Sequence, residues 1–140
     1  MGDRDPVVFF YGSFINLGVL KEYDIVPDAV DVGTLKGFDI SVAPLATLVP
    51  NPERSVYGII VRVPHEKLER LYGGNWVKAY APEAVLVESS RGESVPALCW
   101  IAPIKQVEAA KGAYLDKIVK ASRKHGFPST YIDRLEEFRG

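Results

Sequence analysis

The arrangement of apolar and polar residues predicts an α+β fold, an antiparallel sheet or small closed barrel with helices on one side. Two observations carry this. Five or six short runs rich in β-branched and aromatic residues are bounded by Gly, Pro, Asn and Ser, as strands joined mostly by hairpins would be. Helical periodicity of 3.6 is concentrated in the last third of the chain, so the helices group together rather than alternate with strands. The 140 residues fit one domain, 1–140, large enough to close a core without metals or disulfides.

The first run is Val7-Val8-Phe9-Phe10-Tyr11, which reads as a strand buried on both faces, and Gly12-Ser13 supply a sharp exit turn. Backbone N–H groups in such a turn have no ladder partner and can form a nest for a carboxylate or phosphate oxygen. On these residues alone a simple tight turn is the plainer reading. Residues 17–23 follow as a short helix, with Asn16 as its N-cap and Leu17, Leu20 and Tyr23 on one face. Residues 30–35 and 38–42 alternate as two strands turned at Lys36-Gly37. The proline-rich stretch 48–53 reads as a hairpin connection into the strand 55–63. Gly58, inside that strand, marks a bulge or a close approach by another backbone or a ligand.

Pro64 ends the strand and takes the N1 position of a short helix, residues 65–71, with Leu68 and Leu71 buried. Gly73-Gly74-Asn75-Trp76 stop it and form a loop. Strands over 84–88 and 95–101 flank the polar hairpin loop 89–93. Residues 113–124 and 131–138 close the chain as helices, with Gly126 and Pro128 between them.

Composition narrows the function. A net charge of −1 gives no basic field for nucleic acid and no polybasic surface for a membrane, and no apolar run approaches the ~18 residues of a membrane span. A cytoplasmic protein with a small neutral or zwitterionic ligand as its partner is expected. His65 and His125 lie in no metal-binding spacing, so no metal is expected, and no cofactor is assigned. His125 reads as a solvated cation at a helix end, and Arg134, Glu136 and Glu137 as a solvated helix face. The single Cys99, in an apolar run, reads as a buried thiol.

Several motifs, taken in order, resemble the gamma-glutamylcyclotransferase-like family. They are Phe10-Tyr11-Gly12-Ser13, Val32 to Phe38 (Val-Gly-Thr-Leu-Lys-Gly-Phe), Val56-Tyr57-Gly58-Ile59-Ile60-Val61 and Leu68-Glu69-Arg70-Leu71. Tyr80, Val85 and Val87 continue the series, and Tyr114, Ile118, Gly126-Phe127-Pro128, Tyr131 and Leu135 end it. The resemblance implies a small, mostly antiparallel β-barrel flanked by helices. It also implies release of 5-oxoproline from gamma-glutamyl compounds, by attack of the substrate's α-amine on its γ-carbonyl. By the same resemblance, backbone amides of Gly12, Ser13, Phe14 and Ile15 hold the carboxylate end of the substrate, and Tyr11, Tyr80 and Tyr131 contact it.

The catalytic position departs from the family pattern, Leu-x-x-Leu-Asp-x-x-Glu-Gly. Counting from Gly58, Leu68 and Leu71 match the leucines, Tyr72 replaces the Asp, Asn75 the Glu that serves as general base, and Trp76 the Gly. An amide can bind an ammonium group but cannot take its proton. Losing a positioned base costs about 10²- to 10⁴-fold, or about 3 to 5.5 kcal/mol. Glu83 shares a strand face with Val85 and Val87 and is the alternative base if that face lines the cavity; an exposed strand-edge carboxylate is the plainer reading. Two readings follow: a binding domain that has lost turnover, and an enzyme of this amide-bond class with a relocated base.

Overall fold

The computed structural model describes residues 4–42, 45–73, 80–102 and 112–139. The first apolar run forms β1 (Val7–Phe10), followed by a 3-10 turn (Ser13–Ile15) and helix α1 (Leu17–Glu22). Asn16 caps that helix, its Oδ1 accepting the Gly18 N–H at 3.0 Å. Then come β2 (Asp31–Val42), β3 (Ala46–Arg62), α2 (His65–Tyr72), β4 (Ala81–Glu88), β5 (Ser94–Ile101), α3 (Gly112–Lys124) and α4 (Ser129–Glu136). None of the described helices is long and apolar enough to cross a membrane.

The five strands close a barrel in the order β1-β3-β2-β4-β5. The β2–β3 and β4–β5 pairs are antiparallel, as is β1–β3, whereas β1 meets β5 in parallel at Val8 and Leu98. The barrel is therefore mixed, and closure leaves no long open edge. Gly33 and Gly58 face each other across β2 and β3. A Cβ on Gly33 would stand 2.6 Å from Val87, and one on Gly58 2.1 Å from the carbonyl oxygen of Phe10 and 2.7 Å from the Phe9 ring. The interior of the barrel needs both positions bare.

Several elements differ from the sequence reading. The expected turn at Lys36-Gly37 is a bulge within one continuous strand, with Gly37 at φ +89° and the register shifting between Lys36 and Phe38. The stretch containing Pro50 and Pro52 is part of β3, since Phe38 pairs with Pro50 beyond the irregularity. Pro64 stands one residue outside α2, as its N-cap. Arg134 is only partly solvated: it contacts Asp39 on β2 at 2.9 Å and lies 4.6 Å over the Phe138 ring, which ties α4 to the barrel. His125 does not remain free at the helix end. Its Nε2–H donates to the Ile15 carbonyl at 2.7 Å, fastening the end of α3 to the 3-10 turn.

Candidate functional site

The end of β1 faces a small cavity, and the sequence explains why the chain turns there. After the four residues of β1 and then Tyr11, Gly12 takes φ −99°, ψ −140°, and Ser13 to Ile15 wind into a single 3-10 turn. The Ile15 N–H donates to the Gly12 carbonyl at 3.1 Å and the Asn16 N–H to the Ser13 carbonyl at 3.1 Å. Tyr11, Gly12, Ser13 and Phe14 line the cavity together with Phe10, Ala46, Tyr72, Tyr80, Trp100 and Tyr114. Its volume of about 30 Å³ holds one or two waters. Anything larger than that needs the aromatic wall to move.

The wall is hydrogen-bonded. Tyr11 donates to the Trp100 carbonyl at 2.7 Å, the Ala46 N–H donates to the Tyr114 hydroxyl oxygen at 3.1 Å, and the Tyr80 hydroxyl donates to the Ala46 carbonyl. The Tyr114 oxygen also meets the backbone and side chain of Ser13. A hydroxyl oxygen thus stands where the turn offers its donors. Tyr72 stacks on Trp100 with centroids 4.6 Å apart and ring planes 5° apart. Burial pushes the hydroxyls of Tyr11 and Tyr72 well above the ordinary tyrosine range, and burial likewise raises those of Tyr80 and Tyr114. They are neutral donors and acceptors at physiological pH, and none is a base there.

The structure divides the residues expected at the site. Tyr11, Gly12, Ser13, Phe14 and Tyr80 come together. Ile15 does not face the cavity: its side chain is fully buried in the core and its amide is used inside the turn. Tyr131 packs away from it, on α4, with its ring 5.0 Å from Tyr57 and 6.1 Å from Phe127. Asn75 lies outside the described residues. Glu83 pairs with Cys99, and exposure along its row rises from buried Val87 through half-buried Val85 to exposed Glu83. Its carboxylate is not part of the cavity lining, although it helps burial push the Cys99 thiol up to about 12.

Sequence reasoning missed Trp100 and the roles of Tyr72 and Tyr114. Their only signal was the large aromatic residue at a strand or helix end, which becomes a site only when the barrel closes. Among the described residues no group of three His, Cys, Asp or Glu side chains could hold a metal.

The AIG2-like family model matches residues 55–135. No curated protein matches in sequence. Among solved structures, a gamma-glutamyl cyclotransferase shares 18% identity with a TM-score of 0.79, over 95% of this chain and 87% of that one. YkqA from Bacillus subtilis shares 20% identity with a TM-score of 0.80, over 96% of this chain and 54% of its own. A gamma-glutamyl cyclotransferase specific to glutathione from yeast shares 13% identity with a TM-score of 0.64, over 96% of each chain. At these identities the likeness is one of fold.

Proposed function

The chain belongs to the AIG2-like, gamma-glutamylcyclotransferase-like family, and on that premise we propose that it binds a small gamma-glutamyl or related amino-acid derivative while lacking the family's base. The observation that carries this reading is the cavity itself, set against the Gly12-Ser13 turn and walled by neutral hydroxyls and aromatic rings. A ligand carboxylate replaces the Tyr114 oxygen at the turn and accepts from its N–H groups, which suit an anion better than a neutral hydroxyl.

Turnover asks for more. The α-amine must attack the γ-carbonyl, forming the ring C–N bond and breaking the bond to the leaving amine, while a proton passes from the attacking to the leaving nitrogen. Asn75 can hold the ammonium form but cannot carry that proton. Among the described residues, the cavity lining has no carboxylate. A second reading, with Glu83 as a relocated base, has in its favour only the position of that residue at the open end of an inward row.

Thermal shift with gamma-glutamyl-alanine and with 5-oxoproline tests the binding. At 100 times Kd either should stabilise the fold by about 2.7 kcal/mol. In Gly12→Val the new side chain starts from a Cβ only 3.0 Å from that of Ala46, closing the turn against the ligand. A folded Gly12→Val protein should lose the shift, and an unchanged shift there would remove the site from this turn.

A further inference from the structure

A separate hollow of about 500 Å³ borders the backbone that leaves the turn. Tyr11 to Phe14 line the cavity, whereas the next four residues, Ile15 to Gly18, line the hollow, and the two share no residue. Val30 and Val32, around the start of β2, and the last turns of α3 complete its walls. His125 joins two of these walls, its Nε2–H donating to the Ile15 carbonyl at 2.7 Å.

Two features of the hollow serve no purpose in the fold. The first is apolar exposure. Leu17 and Val30 are 41% and 38% exposed, two of the four large hydrophobic residues left at the surface among the described residues, and they meet here beside Val32 and Ala121. The second is a pair of cations. Lys120 and Lys124 are both exposed and stand one helical turn apart on α3, so their ammonium groups reach the same strip. A lysine near a helix end often serves the last carbonyls. Here the N–H groups of His125, Phe127 and Gly126 already donate to the carbonyls of Ala121, Ser122 and Arg123. The ion pairs among the described residues use neither lysine.

An apolar strip with two ammonium groups at its edge matches a molecule with an apolar stem and an anionic head. The stem takes Leu17 and Val30 out of water, and a carboxylate accepts charge-assisted hydrogen bonds from the lysines. A bare anion would leave the strip uncovered, and a neutral apolar molecule would leave the ammonium groups unused. The volume is that of a small-molecule site. We propose that this hollow is a second binding site, which takes small carboxylates with an aliphatic stem. It shares no lining residue with the gamma-glutamyl site and stands or falls separately from it.

Titration of octanoate into the nitrogen-15-labelled protein, followed at the backbone amides of Leu17, Gly18, Val32 and Ala121, tests the site, with butyrate, 1-octanol and octylamine as comparators. Octanoate should move these four amides saturably. It should bind at least about tenfold tighter than butyrate and about threefold tighter than octanol, with octylamine the weakest of the eight-carbon compounds. Added salt should narrow the gap between octanoate and octanol. The exposed double substitution Lys120→Gln with Lys124→Gln should bring octanoate down to the level of octanol. Equal binding of octanoate and octanol by the parent, or an unchanged octanoate titration in the double variant, would overturn the proposal. Butyrate binding as tightly as octanoate would do the same, by reducing the site to two surface lysines. Shifts confined to Gly12, Ser13 and Phe14 would put octanoate in the cavity instead. Shifts of the four amides on raising the protein concentration alone would show a second copy filling the hollow. Either of these results overturns the site, as does binding of none of the four compounds.

Discussion

Gly58 shows what a single residue decides. The sequence marks it as a place of close approach, and the approaching group is the backbone of β1, with the Phe10 carbonyl 2.1 Å from where a Cβ would be. Gly58→Ala should therefore cost about 1–3 kcal/mol or more through overpacking, measured by urea unfolding, although Gly58 is not among the residues lining the cavity. A cost below about 0.5 kcal/mol, the range of ordinary surface changes, would contradict that geometry. Cys99 gives a prediction about pH. Its thiol is raised to about 12 by burial first and Glu83 second, whereas an unfolded thiol ionises near about 8.5. The folded state holds the proton longer, so this contribution to stability is full below about pH 8.5 and is lost as the pH rises toward 12. The buried tyrosines add to the loss above their own unfolded value of about 10. Cys99→Ala should flatten the decline in unfolding free energy between pH 8.5 and about 10, and an unchanged slope would count against the buried thiol.

Elements were legible in the sequence where local periodicity and turn chemistry agreed, as in β1, α1 with its Asn16 cap, and the β4–β5 hairpin. The β2–β3 hairpin was harder to read. Gly37 and the two prolines give the signals of a chain reversal, but the strands resume pairing past them, and only the partner strand reveals that. Attachments between distant elements were not legible either. The Arg134 to Asp39 contact joins positions 95 residues apart and leaves both side chains partly solvated, 27% and 17% exposed. A double-mutant cycle of Arg134→Ala and Asp39→Ala should give a coupling of about 1 kcal/mol, discounted for solvent screening and reduced by added salt. A coupling of zero would make the docking of α4 a matter of its buried Tyr131, Ile132 and Leu135 alone.

At the scale of the whole molecule, barrel closure assembles the site. The turn comes from the end of β1, Trp100 from β5, Tyr72 from the end of α2, and Tyr114 from α3, four parts that lie far apart in the chain. That Gly12 and Ser13 turn the chain at the strand end could be read in advance, because turn chemistry belongs to the backbone of one short segment. The aromatic half could not, since nothing local tells a strand-end Trp that covers the core from one that walls a cavity. Thr47 fixes the frame between them, its hydroxyl accepting the Ala102 N–H at 3.0 Å and donating to the Ala102 carbonyl at 2.5 Å.

The central claim is a ligand site that has kept its binding turn and lost its base, and the release of 5-oxoproline from gamma-glutamyl-alanine by the parent, Asn75→Glu and Glu83→Gln proteins tests it most directly. The parent should bind the compound and release almost nothing. On the reading proposed above, in which Asn75 stands where the family has its base, Asn75→Glu should raise the rate at least about 10²-fold. A parent that is already fast and is silenced by Glu83→Gln would contradict the claim by showing that the base has moved. An Asn75→Glu protein that folds and binds the compound yet still releases nothing would contradict the assignment of Asn75 to the base position.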